Sequence, residues 1–517
     1  MEKKKEKKKS STKTTKVNRP VKEEVVSEVA SREVSKPEPL KEETKTKKVS
    51  HFLFKALAIS ILVAVGVSWI VSAGTFSGST LTTTEPARTG INELFLSMFY
   101  ASNYYLLQVV FILVLGLFYG VISRTNGYKK LVENNVKFWS KTSGRKKLFP
   151  IIVTFIIAFF VSMATQSFPI LLFIPFIISV ASRLGYGKLN SILMTFGAMI
   201  MGIVGQTTST LGLDYLESTM GVKITTNLLI RYGILVLALL GLNAIIFLLK
   251  KKNARTSEVK DNEVVDLVPL TGDATRGKSR PYLIMFIILF AFCILGYIPW
   301  NSAFGIDIFD TFHTWLTTKV TITVGGNSHA IFGYILGKIN AFGSWDIYTI
   351  CYIAMIILIF VKIFSKIKFD ELLEAAVEGM KKTLKPALFV VLAYTMFVIS
   401  YWGGFTNTIV DKIVGTDFNV LSATIANAAA SFFHVDFGYS GFTLGAVYAA
   451  RFADYTGTML VIMTTINGLV ALVAPTSVLL VTGLSMYDVS YKEWLKNVWK
   501  LAIGLLVVLL IIFMFMI

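Results

Sequence analysis

Long apolar runs alternate with short polar interruptions along this chain, and a membrane span needs about 20 apolar residues. Runs of that kind fall at residues 52–73, 104–123, 189–213, 226–249, 282–300, 346–364, 385–402, 456–484 and 499–517, which predicts nine transmembrane helices. Two further apolar stretches do not read as simple spans. Residues 149–181 are too long for one crossing, and Thr165-Gln166-Ser167 with Pro169 interrupts their centre. Residues 419–452 are rich in Ala and Gly and are broken by His434-Val435-Asp436 and by Gly438-Tyr439-Ser440-Gly441. Two apolar arms around a polar, turn-forming centre predict a re-entrant helical hairpin in each case. Such irregular backbone is tolerated in a membrane only where it is buried in protein or faces a watery cavity.

The basic residues test this layout, because cytoplasmic loops carry an excess of Lys and Arg. With the N-terminus inside, loop 74–103 falls outside and holds only Arg88 among Lys and Arg. Segment 124–148, with Arg124, Lys129, Lys130, Lys137, Lys141, Arg145, Lys146 and Lys147, falls inside. Linker 250–281, with Lys250, Lys251, Lys252, Arg255 and Lys260, also falls inside, and Ile517 ends outside. The expected organisation is a tail at 1–49, a first membrane repeat at 50–250, a cytoplasmic linker at 251–281 and a second repeat at 282–517. The repeats are read from pattern. In each, a hairpin is followed by a span with a polar break, Gly205-Gln206-Thr207-Thr208-Ser209 in one and Ala474-Pro475-Thr476-Ser477 in the other, and then by a closing span. Repeats that enter from opposite faces are an arrangement of secondary transporters. The predicted fold class is therefore an all-α integral membrane protein with an inverted repeat, about nine spans and two re-entrant hairpins.

Composition agrees and removes other classes. The 517 residues are 54% hydrophobic and 16% charged, with a mean hydropathy of +0.63, whereas soluble domains run about 25% charged. Cys293 and Cys351 are the only cysteines and stand apart in apolar runs, so neither a zinc site nor a redox pair is suggested. The net charge of +19 is concentrated in part at the start, where residues 1–50 hold 16 Lys or Arg against nine Glu. Such a segment buries too little apolar surface to offset its ordering entropy, so it reads as a disordered, orienting tail that meets anionic lipid at most. It has no apolar core of a signal peptide and none of the interleaved aromatics that nucleic-acid binding would need. No Gly-x-Gly-x-x-Gly, P-loop or His-Glu-x-x-His occurs, and the four histidines are widely separated, so the chain does not read as an enzyme or an ATP-driven pump. A channel would draw its selectivity ring from oligomeric symmetry, whereas these broken elements come as two opposed copies in one chain.

Candidate chemistry lies at the breaks. Unwound segments expose carbonyls and N–H groups, helix N-termini attract anions, and carbonyl ends suit Na⁺. The candidate solute-binding residues are Thr165, Gln166 and Ser167 at the first tip, Gln206, Thr207, Thr208 and Ser209 at the first break, Tyr439 and Ser440 at the second tip, and Thr476 and Ser477 at the second break. Hydroxyl oxygens of Thr208, Ser209, Thr476 and Ser477 are candidate Na⁺ ligands; no other cofactor is expected. Asp436 and His434 are ionisable residues inside an apolar region, which makes them the candidates for ion or proton coupling. Each has a plainer reading, a solvated tip or a pairing of Asp436 with His434 or Arg451. Arg451 and Asp454 are expected to pair with each other near the outer face, Arg231 to lie at an interface, and Gly197, Gly202 and Gly205 to serve close helix packing.

Several stretches resemble the C4-dicarboxylate anaerobic carrier family, including its members described as basic-amino-acid antiporters. They are Ala474-Pro475-Thr476-Ser477 with Thr482-Gly483-Leu484, then Tyr491-Lys492-Glu493-Trp494-Leu495 at the start of the last helix. Phe369-Asp370-Glu371 through Glu378-Gly379-Met380 is similar to an amphipathic helix of that family and of the aminobenzoyl-glutamate transporter family. The resemblance implies a scaffold domain and a transport domain with two opposed hairpins, commonly as a homodimer in the cytoplasmic membrane. It also implies a carboxylate-bearing solute, a dicarboxylate or an amino acid, moved by alternating access with Na⁺ or H⁺; export of aminobenzoyl-glutamate-like or drug-like anions is the alternative. Ala164-Thr165-Gln166-Ser167 departs from the family pattern in having no carboxylate, and Gln206-Thr207-Thr208-Ser209 in lacking an Asn-Pro type break.

Overall fold

Apolar length decides which helices can cross a bilayer, and capping decides where they begin. The computed structural model describes residues 41–256 and 264–517, and the architecture below belongs to Thr46–Ile517. Among the described residues, nine helices are long and apolar enough to span a membrane: His51–Ile70, Leu106–Ser123, Ser143–Met163, Leu228–Lys251, Arg280–Tyr297, Ile347–Ser365, Phe369–Gly403, Ala453–Met486 and Tyr491–Met514. All but one of the expected spans are there. The exception is 189–213, which is the shorter helix Lys188–Val204 followed by a break. Ser143–Met163 reaches span length instead, because Thr142 accepts from the Arg145 N–H and adds a basic first turn ahead of the apolar arm. The expected span at 385–402 starts much earlier, as part of the 35-residue helix Phe369–Gly403. The amphipathic stretch at Phe369–Met380 and the span behind it are thus one continuous element.

Helix Lys41–Ile70 begins inside the segment expected as a tail. The rest of that segment, residues 1–40, lies outside the described residues, as do 257–263 of the expected linker. Two β-hairpins were not foreseen: Ala73–Ser77 pairs with Thr80–Thr84, and Thr321–Val324 pairs with Asn327–Ala330. Their Thr-rich strands alternate too little between apolar and polar for the sequence pattern to show them.

Small residues set the helix packing. Leu106–Ser123 lies along Phe369–Gly403 at Gly116, Gly120 and Gly379, where a Cβ on Gly379 would stand 2.0 Å from the Gly116 carbonyl oxygen. This is close backbone approach of the kind that membrane helices use in place of a hydrophobic driving force. Gly202 and Gly205 pack in the same way, against Ala158 and Val161 and against Leu235.

The two halves repeat one plan. The first has hairpin arms Ser143–Met163 and Phe168–Arg183, a helix Lys188–Val204 that breaks before Leu213–Met220, and the closing helix Leu228–Thr256. The second has arms Val420–His434 and Phe437–Arg451, the broken pair Thr456–Val473 and Val478–Met486, and the closing helix Tyr491–Met514. Between the two hairpins lie four span-length helices and the broken helix that begins at Lys188. The broken helices meet at Gly468, where a Cβ would lie 2.4 Å from the Val204 nitrogen.

Candidate functional site

The second hairpin turns in only two residues, Val435 and Asp436, between its arms. Val435 holds φ 62° and ψ −38°, and the Asp436 N–H donates to the His434 carbonyl at 2.5 Å. That is a γ-turn with its central residue at positive φ, a rare and strained conformation for a β-branched side chain. The strain delivers Asp436 to the N-cap of Phe437–Arg451, where its Oδ1 accepts from the Tyr439 N–H at 3.1 Å. Its Oδ2 accepts from the Tyr105 hydroxyl at 2.9 Å. Tyr105 stacks in turn on Tyr394 of Phe369–Gly403, with ring centroids 3.3 Å apart. Asp436 therefore pairs with neither His434 nor Arg451. His434 Nδ1 lies 3.0 Å from Ser440 Oγ, and Arg451 pairs with Asp411 at 2.5 Å in place of the expected Asp454.

The first hairpin tip is tied to both repeats. Ala164 leaves the helix in extended conformation, and the Thr165 N–H donates to the Tyr297 carbonyl at 2.7 Å. The first break then folds onto this hairpin. Thr207 donates through N–H and hydroxyl to the Ser162 carbonyl, and Ser209 Oγ donates to the Ala164 carbonyl at 2.5 Å. The second repeat has the matching bond, from Thr476 Oγ1 to the Phe432 carbonyl at 3.2 Å. In both, a threonine three residues past a helix-ending valine, Val204 or Val473, satisfies a carbonyl at the end of the hairpin's first arm. Arg231 is buried behind the first break instead of lying at an interface. Its Nε donates to the Gln206 carbonyl at 2.6 Å and its Nη1 to the Ile224 carbonyl at 2.5 Å. A guanidinium there meets the negative end of Lys188–Val204.

Two connected cavities lie between these tips. The inner one, of about 150 Å³, is walled by Gln166 and Ser167 of the first tip, Asp436 of the second, Thr476 and Ser477 of the second break, and Tyr394. A vestibule of about 890 Å³ shares Gln108, Gln166, Leu211, Asp436 and Gly438 with it and continues past Thr165 and Tyr439 to Ser302 and Asp346 at loop 298–346. So the structure brings Thr165, Gln166, Ser167, Asp436, Tyr439, Thr476 and Ser477 to the cavities. It places Gln206, Thr207, Thr208, Ser209, His434 and Ser440 against neither. Except for the Thr208 hydroxyl, which is buried without a partner, they hydrogen-bond freed backbone or neighbouring side chains, which polarity in the sequence does not distinguish from a role in binding. Among the described residues no group of three or more His, Cys, Asp or Glu gathers as a metal site.

Sequence reasoning passed over Gln108, Asn467, Ser431 and Tyr394, and reads Tyr105 as an interfacial aromatic, whereas it is buried against Asp436. Gln108 and Asn467 had a usable signal, since each is an amide inside an apolar run of span length. Tyr105 and Tyr394 had none, because interfacial aromatics look the same.

In a body of apolar helices, both hairpin tips and the second break bring Gln166, Ser167, Asp436, Thr476 and Ser477 around one partly open cavity, and the family to which the chain belongs makes this multi-pass membrane protein a transporter. The particular kind follows from comparison: the family model of the C4-dicarboxylate anaerobic carrier (DcuC) matches residues 79–517, and the chain belongs to that family. Among solved structures it is similar to the YdaH transporter of Alcanivorax borkumensis, described as having an unusual topology. The identity is 14% and the TM-score 0.37, over 90% of this chain and 98% of that one. No curated protein matches the chain.

Proposed function

We propose that the protein is a secondary active transporter that carries a small carboxylate-bearing solute, a dicarboxylate or an amino acid, by alternating access. The observation that carries this is the inner cavity, bounded at once by both hairpin tips, the second break and the long helix Phe369–Gly403. A water needs roughly 10–15 Å³ of such space, so about 150 Å³ suits a solute of this size. The vestibule leads from it to loop 298–346, and two ion pairs, none of whose residues lines either cavity, stand beside a separate cavity of about 240 Å³. Lys385 of the long helix pairs with Asp488 beyond the second broken helix. Arg183 of the first hairpin grips Asp266 of the linker through both guanidinium nitrogens, at 2.7 and 2.8 Å.

The distribution of Lys and Arg supports a cytoplasmic N-terminus and linker, an outer loop 298–346 and an outer C-terminus, and on this reading the vestibule opens outward. Coupling to Na⁺ or H⁺ would run through Asp436, the ionisable group at the cavity, with Thr476 and Ser477 as hydroxyl ligands beside it and Thr208 and Ser209 at the first break. A homodimer, each protomer with its own cavity, is the expected assembly.

Reconstituted in liposomes, the protein should show saturable uptake, and counterflow when loaded with unlabelled solute. Dissipating an imposed Na⁺ or proton gradient should remove accumulation. Uptake that never saturates and never exchanges would make it a channel.

A further inference from the structure

The charges that line the site are all of one sign. Asp436 is the only carboxylate at the inner cavity, the vestibule adds Asp214 and Asp346, and no Lys, Arg or His among the described residues lines either. Two buried basic side chains, Arg231 and His434, line neither cavity: Arg231 Nε and Nη1 donate to backbone carbonyls while its Nη2 has no partner, and His434 meets Ser440. What positive potential the cavity has comes from helix N-termini. That of Phe437–Arg451 is already capped by Asp436. That of Val478–Met486 is open: Ser477 caps the Leu480 N–H, while the N–H groups of Val478 and Leu479, both at the cavity, have no carbonyl partner. An N-terminus carries about half a positive charge, enough to favour one anionic group. Gln108, Gln166 and Asn467 complete the lining with side-chain amides that hydrogen-bond to no described residue.

We propose, on the basis of the carrier reading above, that the solute bears a protonated amine against Asp436 and a single carboxylate at the N-terminus of Val478–Met486. It is then an α-amino-acid-like zwitterion and not a C4-dicarboxylate dianion. The second carboxylate of a dianion would sit beside Asp436 with no cation to offset two like charges in a low-dielectric site. An ammonium finds the opposite. The Tyr105 hydroxyl and the Tyr439 N–H each take one lone pair of the Asp436 carboxylate, and each oxygen keeps another for an incoming N–H. The free amides accept and donate, which suits a zwitterion's two unlike ends.

The test uses the purified full-length protein. Its unfolding temperature is measured with each common amino acid and with succinate and fumarate, and labelled exchange is then measured in liposomes. At least one amino acid should raise the unfolding temperature while succinate and fumarate do not. Asp436→Asn, which keeps a capping oxygen, should weaken that amino acid by about tenfold or more, the weight of one charge-assisted hydrogen bond. Asp436→Glu should recover part of the loss. Stabilisation by the dicarboxylates alone, by no amino acid, or with undiminished affinity in Asp436→Asn overturns the proposal. The two readings fail separately: counterflow of succinate would uphold the carrier and sink the zwitterion, and amino-acid binding without any exchange would do the reverse.

Discussion

At the scale of single residues, the site is organised by one strained backbone position. Val435 has no reason of its own to hold positive φ, and a Cβ there costs roughly 1–2 kcal/mol. The turn persists because the arms on both sides are packed and because it places Asp436 where a helix cap and the Tyr105 hydroxyl meet it. Val435→Gly should relieve the strain at some cost in unfolded-state entropy, a net stabilisation of about 0.5–1 kcal/mol. Thermal unfolding in detergent measures it, and a lower midpoint would show that the valine side chain, which faces the cavity, contributes more than the strain removes. The sequence made Asp436 legible, since a lone carboxylate in an apolar run is conspicuous. It did not make its partner legible. Tyr105 lies more than 300 positions away, and nothing local distinguishes it from Tyr100 or Tyr104.

At the scale of elements, the hairpins and broken helices were readable because hydropathy records both an apolar arm and its interruption. What polarity cannot record is direction. Thr207, Thr208 and Ser209 read as a binding cluster, yet Thr207 and Ser209 secure carbonyls at the end of the first hairpin's first arm, while Thr476, at the corresponding place, does this and also borders the cavity. The extent of the long helix was hidden for a related reason. Lys381, Lys382 and Lys385 end an apolar window without ending a helix, and Pro386 sits inside Phe369–Gly403 without stopping it. Small residues were more telling. Gly379 meets the Gly116 backbone so closely that an added methyl group cannot be accommodated without parting the helices. Gly379→Ala should therefore lower stability by about 1–3 kcal/mol, as overpacking does, with the loss read as a reduced unfolding temperature. Gly144→Ala, where a Cβ would meet nothing within 4 Å, is the matched control and should be neutral; equal effects would show that the contact is not tight.

At the scale of the whole molecule, two repeats of one plan surround one cavity that opens through a vestibule towards loop 298–346, while the ion pairs Lys385–Asp488 and Arg183–Asp266 stand elsewhere, beside a separate cavity of about 240 Å³. An inverted repeat can supply both states of a carrier, since each half can adopt the arrangement now held by the other. On the proposed alternating-access reading, movement of the tips relative to Phe369–Gly403 closes the vestibule and opens the cavity to the other side. Ser431 lines the inner cavity, and the natural cysteines Cys293 and Cys351 are buried, so a single reporter can be placed there. The decisive measurement is the labelling of Ser431→Cys in sealed proteoliposomes by a membrane-impermeant maleimide, added from one side and then from the other. Alternating access requires that the cysteine be reached from both sides, in complementary proportion as a bound solute or ion shifts the balance. Labelling from one side alone under every condition would contradict it.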